Sequence, residues 1–155
     1  MTVVPTINSR HLVAHVGATF TSPFSIEVDQ ERVCSFASLT GGDHWMHVDV
    51  ERAALSPLGR TTVQGLLTMS LGVLLQRQVL LIESADAVFY GFDRVRFPAP
   101  MFTGDRLRLE VEILAAEGRA DSVLASFRQH FWSSAAKPVC VVEQSIRYFH
   151  EEPGV

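Results

Sequence analysis

The chain changes its hydrophobic period once, and that switch narrows the folds open to it more than any other feature. Across residues 63–81, Val63, Leu66, Leu67, Leu71, Leu74 and Leu75 recur at helical spacing, with Met69, Val73 and Leu80 on the flanks. A helix apolar nearly all round predicts burial on every side. Beyond it the period is two: Arg106, Arg108, Glu110 and Glu112 alternate with Leu107, Leu109, Val111 and Ile113. Further strands are predicted over 87–97, 122–132 and 138–149, with turn material at 98–100, 117–119 and 133–137 between them. One buried helix followed by several long strands requires a sheet that covers the helix.

The N-terminal part fits the same plan. Phe20, Phe24, Ile26 and Val28 share one parity, which predicts a half-buried strand over 19–28, and Pro23 makes it an edge strand or a bulge. Apolar spacing then lengthens, predicting a short helix over 29–39 stopped by Gly41 and Gly42. A polar loop over 43–49 follows, and Asp49 can N-cap a second short helix reaching Leu55, ended by Pro57 and Gly59. The whole reads as an α+β fold in which an antiparallel sheet wraps a long central helix, the hotdog arrangement. At 155 residues, 47% of them hydrophobic, one domain over 1–155 around one core is expected.

Charge and cysteine usage exclude several function classes. Charged residues are only 19% of the chain, below the roughly 25% of an average soluble domain, so part of the outer surface is expected to be covered in a homo-oligomer. Thirteen basic against seventeen acidic side chains give a net charge of −4, and no Lys/Arg run could neutralise a row of phosphates, which argues against nucleic acid. The apolar stretch 63–82 is broken by Gln64, Thr68, Ser70, Gln76, Arg77 and Gln78, so neither a membrane span nor a secretion signal is expected. Cys34 and Cys140 form no framework, which suits a reducing cytoplasm.

The chemistry concentrates in two adjoining stretches. Ser38-Leu39-Thr40-Gly41-Gly42-Asp43-His44-Trp45-Met46-His47-Val48-Asp49-Val50-Glu51-Arg52-Ala53 leads, after a short gap, into Gly59-Arg60-Thr61-Thr62-Val63-Gln64-Gly65-Leu66-Leu67. With Tyr90-Gly91-Phe92-Asp93-Arg94-Val95-Arg96-Phe97-Pro98-Ala99-Pro100, these segments resemble the MaoC-like dehydratase family, the (R)-specific enoyl-CoA hydratases, and especially its branch around nodulation protein N. The resemblance covers about residues 36–105 and implies the hotdog fold read above.

It also implies an activity. Adding water across the α,β double bond of an acyl thioester needs a base for the water, a proton donor for the α carbon, and donors for the enolate oxygen. The resemblance assigns Asp43 as the carboxylate base, His47 as its partner in holding the water, and the Gly65 backbone N–H as the oxyanion donor. Gln64 and Ser70 fall where the family puts residues beside that site, and Arg60, Arg94 and Arg96 are candidates for the phosphates of coenzyme A. The chain departs from the family in three ways. Three residues rather than four separate Asp43 and His47, the loop lacks the usual Asn or Gln, and Gln64-Gly65 replaces His-Gly. A contracted loop shifts a carboxylate on the scale at which rate is sensitive to position.

The expected function is reversible hydration of trans-2-enoyl thioesters to (R)-3-hydroxyacyl thioesters by a homodimer, the thioester being carried on coenzyme A or an acyl carrier protein, with no further cofactor. Two alternatives stay open: a hotdog thioesterase, disfavoured because 63–81 contains no acidic residue, and a non-catalytic protein that binds an acyl thioester or supports a partner subunit. Other polar and aromatic residues receive plainer roles. Asp49 is read as a helix cap, and Asp43, His44, His47 and Asp49 are too irregularly spaced for a metal site. His11 and His15 are read as surface residues near a partly mobile terminus, and Tyr90, Phe92, Phe97 and Cys34 as packing.

Overall fold

The computed structural model describes residues 3–21, 23–134 and 136–150. A short strand β1 (Thr6–Asn8) runs into a 3-10 helix, Ser9–His15, started by the Asn8 side chain accepting from the Arg10 N–H. Strands β2 (Thr19–Thr21) and β3 (Ile26–Glu27) follow, then helices α1 (Gln30–Thr40), α2 (Trp45–Val48) and α3 (Val50–Leu55). Helices α4 (Gly65–Ser70) and α5 (Gly72–Gln76) lead to β4 (Leu81–Glu83) and to four long strands, β5 (Asp86–Arg96), β6 (Arg106–Gly118), β7 (Ser122–Trp132) and β8 (Cys140–Phe149).

The main sheet has the order β2-β6-β7-β8-β5, with β3 also on β6, and every pairing in it is antiparallel. Alternation decides which face is inside. Leu107, Leu109, Val111 and Ile113 of β6 and Val123, Ala125, Phe127 and Phe131 of β7 are buried against the helical layer, together with Leu67 and Leu75. This is the expected α+β architecture, and its sheet strands lie close to where the two-residue period put them.

Several expectations are corrected. The single helix over 63–81 is two short ones: Leu71, in the αR region at φ −66 and ψ −13, caps both, and Leu81 already belongs to β4. At this junction a Cβ on Gly72 would stand 2.8 Å from Phe131 Cζ, so the backbone there lies close to the sheet. That helical stretch is also not covered all round, since Leu66, Val73 and Leu74 are exposed. The strand expected over 19–28 is divided into β2 and β3, with Pro23, which cannot donate to a ladder, between them.

The expected mobile N-terminal segment is instead built in. β1 pairs in parallel with β4 (Thr6 with Leu81, Asn8 with Glu83), Leu12 is wholly buried, and the Ser9 hydroxyl lies 2.9 Å from His150 Nδ1. The polar loop over 43–49 contains the one-turn helix α2. On β5, Tyr90 and Phe92, like Phe97 just beyond it, are exposed in the single chain, and so is Cys34 on α1. The sheet order ends at β5, so a single chain leaves that edge and its side chains uncovered.

Candidate active site

The stretch from α1 to α4 is organised by caps. The Asp29 side chain accepts from the Arg32 N–H at 2.9 Å and starts α1. Gly41, at φ 72, ends it in the left-handed conformation that glycine adopts without strain, its N–H donating to Ala37 O at 2.8 Å. The chain then turns through Gly42 and Asp43 to His44, the N-cap of α2. Asp49 closes α2 and caps α3, its carboxylate accepting from the Arg52 N–H at 3.0 Å, the capping role expected for it.

His47, on the last turn of α2, is partly buried and tied down at both ends. Its ring Nδ1 is 2.8 Å from the Thr62 carbonyl oxygen and 3.2 Å from the Thr62 hydroxyl, which in turn donates to Met46 O at 3.3 Å. A carbonyl can only accept, so Nδ1 carries the proton and Nε2 keeps its lone pair. The His47 carbonyl accepts from Gln30 Nε2 at 2.8 Å, and Gln30 Oε1 accepts from the Thr61 hydroxyl at 2.6 Å. One side chain of α1 therefore clamps both the turn that carries His47 and the strand-like entry to α4. The carbonyl that the ring meets lies only three residues before Gly65.

Asp43 is exposed at the entrance to α2, and no hydrogen bond or ion pair holds its carboxylate among the described residues. Gly65 opens α4, whose first internal bond is Thr68 N–H to Gln64 O, so the Gly65 N–H is one of the orphan donors of a helix start. It borders a cavity of about 350 Å³ lined in part by Val63, Leu66, Phe97, Met101 and Val139. A Cβ at Gly65 would stand 2.8 Å from Phe97 Cε1, so the absence of a side chain is what lets backbone and ring approach.

The remaining candidates fall in different surroundings. Gln64 is 7% exposed and turned toward α1, its Nε2 donating to Val33 O at 3.0 Å while its Oε1 is buried without a partner. Ser70, whose hydroxyl donates to Leu66 O at 2.7 Å, borders a separate, larger cavity of about 650 Å³ between the helices and the sheet. Arg60 is engaged within the fold, paired with Asp105 at 2.8 Å and stacked over Phe102 at 4.8 Å. Arg94 has no charged partner among the described residues, and Arg96 Nη1 donates to the neighbouring Val95 carbonyl at 2.7 Å. Sequence reasoning missed Gln30, Thr61 and Thr62. Their partners lie 15 to 31 residues away, beyond any local pattern.

A family model described as "MaoC like domain" matches residues 12–127. The chain is 36% identical over 128 residues, 79% of its length and 83% of the relative's, to the 3-hydroxyacyl-thioester dehydratase Z of Mycobacterium tuberculosis. It is 36% identical over 104 residues, 65% of each chain, to nodulation protein N of Rhizobium leguminosarum bv. viciae. Among solved structures, a MaoC-like dehydratase from Rhodospirillum rubrum superimposes with TM-score 0.75 over 89% of this chain and 94% of its own, at 21% identity. The (R)-hydratase from A. caviae does so with TM-score 0.69 over 84% and 94%, at 25% identity.

Proposed function

The chain belongs to the MaoC-like dehydratase domain family, and from that premise we propose that it is an enoyl-thioester hydratase/dehydratase, converting trans-2-enoyl and (R)-3-hydroxyacyl thioesters into one another. The observation that carries this reading is the fixed tautomer of His47. With Nδ1–H committed to the Thr62 carbonyl at 2.8 Å, Nε2 remains a proton acceptor held near an unpaired helix-start N–H.

In this mechanism the Asp43 carboxylate and His47 Nε2 hold one water between them. As the water oxygen adds to Cβ of the enoyl group, its proton passes to this pair, and the pair returns a proton to Cα. Negative charge that gathers on the thioester oxygen is taken by the Gly65 N–H. Ser70 borders the acyl chain, and Arg94 and Arg96 are the cations left to meet the phosphates of coenzyme A or a carrier protein's prosthetic arm. Arg60 and Gln64, engaged with Asp105 and Val33 respectively, support the entry to α4. The chemistry calls for no cofactor beyond the substrate's own carrier.

The working unit in this proposal is one hotdog domain, residues 1–155, joined to a second copy along β5. Support comes from the free edge of β5 and from Val88, Phe89 and Tyr90, all at least half exposed in one chain. No described helix is long and apolar enough to cross a membrane, and the unpaired thiols of Cys34 and Cys140 fit a reducing cytoplasm.

The test is hydration of crotonyl-CoA by the purified protein, followed as loss of enoyl absorbance, with the stereochemistry of the product read separately. Formation of (R)-3-hydroxybutyryl-CoA is expected. No turnover, with release of free coenzyme A instead, would establish the thioesterase alternative.

A further inference from the structure

The larger cavity, about 650 Å³, runs beside the helical layer from Ser70 and Gly72 to Leu80 and Ile82, with Phe89 and Phe92 of β5 at its mouth. Most of its wall is aliphatic or aromatic, as an acyl chain requires. Its floor is not. Gln129 of β7 and Gln144 of β8 occupy inward-facing sheet positions, 3% and 8% exposed, where the alternation otherwise supplies Val142, Phe127 and Phe131.

Three amides meet there. Gln76 Oε1, at the end of α5, accepts from Gln129 Nε2 at 2.8 Å and from Gln144 Nε2 at 3.3 Å, and the buried Tyr148 phenol also bonds the Gln76 side chain. The Oε1 atoms of Gln129 and Gln144 receive no hydrogen bond among the described residues, and neither is sealed from the cavity. Gly72, bare of a side chain, leaves the space over Gln129 open, since a Cβ there would stand 3.4 Å from its Oε1. Buried amides with unspent acceptors are costly in an apolar site unless a ligand or water completes them.

We infer that this cavity selects acyl chains carrying a hydrogen-bond donor, a hydroxyl, at their remote end, with Gln129 and Gln144 as specificity-determining residues. The inference rests on the hydratase reading only for the direction in which the chain enters. From Gly65 to Gln76 is about 16 Å by helical rise, so the hydroxyl would meet the amides some eight to a dozen carbons from the thioester. An unsubstituted chain of that length would leave both acceptors unpaired, whereas a hydroxyl satisfies one and can accept from the amide N–H that Gln76 does not use.

Binding of non-reacting saturated thioesters tests this independently of catalysis. Octanoyl-, decanoyl- and dodecanoyl-CoA would be titrated against their ω-hydroxy counterparts, by calorimetry, on the wild type and on Gln144→Leu and Gln129→Leu. At one chain length or more the hydroxylated ligand should bind at least tenfold tighter to the wild type, and either substitution should remove that preference while unsubstituted chains bind as well or better. Equal or weaker binding of the hydroxylated chain at all three lengths overturns the inference, as does a preference that survives both substitutions. Because these side chains are buried, Gln144→Met serves as a milder variant, and melting curves identify any that do not fold. Hydration of crotonyl-CoA, too short to reach the amides, separates the two readings. Turnover without hydroxyl preference sinks only this inference, whereas hydroxyl preference without turnover sinks only the hydratase.

Discussion

At the scale of single residues, the site depends on groups that cost the fold little. Asp43 is exposed and has no partner among the described residues, and the His47 ring meets the carbonyl and hydroxyl of Thr62 alone among them, so neither anchors the core. Asp43→Asn and His47→Ala are each expected to lower kcat/KM for crotonyl-CoA by about a hundredfold or more, the usual contribution of a general acid or base, with melting temperature nearly unchanged. Wild-type turnover in both variants would remove the pair from the mechanism. Gly65 separates packing from chemistry in a different way. The Cβ of Gly65→Ala would push on Phe97, a ring 46% exposed and free to swing away, so stability should fall by about 1 kcal/mol or less. The displaced ring and the added methyl would crowd the amide that takes the enolate charge, and kcat/KM should fall at least tenfold, measured alongside a thermal melt.

At the scale of elements, the break between α4 and α5 shows how close packing overrides periodicity. Leu71 N–H still donates to Leu67 O and Leu75 N–H to Leu71 O, both at 3.0 Å, so the helical course is kept while the regular helix is interrupted. At this junction Gly72 packs against Phe131. Phe131 is wholly buried and cannot yield as Phe97 can, so Gly72→Ala should overpack the core and lower stability by about 1–3 kcal/mol, read from chemical denaturation. A Gly72→Ala protein as stable as the wild type would mean that the helical layer can lift off the sheet at no cost. The same element explains why residues 63–81 look buried from their composition. Leu66, Val73 and Leu74 are nevertheless exposed in the single chain.

For the whole molecule, a run of uncovered apolar groups follows β5, where Val88, Phe89, Tyr90 and Phe92 are all exposed. β5 ends the sheet with a free ladder edge, and such an edge, flanked by exposed apolar side chains, invites strand pairing unless it is covered. Light scattering at micromolar concentration should give twice the chain mass of 17.2 kDa. Tyr90→Lys together with Val88→Lys, which place like charges where two β5 strands would meet, should shift the protein toward the monomer. A monomeric wild type would remove the β5 interface from the proposal.

Much of this architecture was legible in the chain itself, because it rests on local patterns. The alternation from Arg106 to Ile113 required a strand with one buried face, Gly41 and Asp49 marked helix ends through backbone geometry and capping, and the Asp43–His47 and Gln64–Gly65 stretches carried the family resemblance. What periodicity could not supply were contacts between distant segments. Pairing of β1 with β4, 75 residues apart, builds in a segment that its position near the chain end suggested was partly mobile. Which ring nitrogen of His47 faces an acceptor was decided by the carbonyl of Thr62, and the placement of its turn by Gln30 of another helix. Nothing in the strand patterns singles out Gln129 and Gln144, and it is the fold that turns both toward Gln76. Patterning sets which face of an element is apolar, since that depends only on the rise and turn of the backbone. Which polar atoms meet inside depends on how the elements pack, and only the tertiary structure decides that.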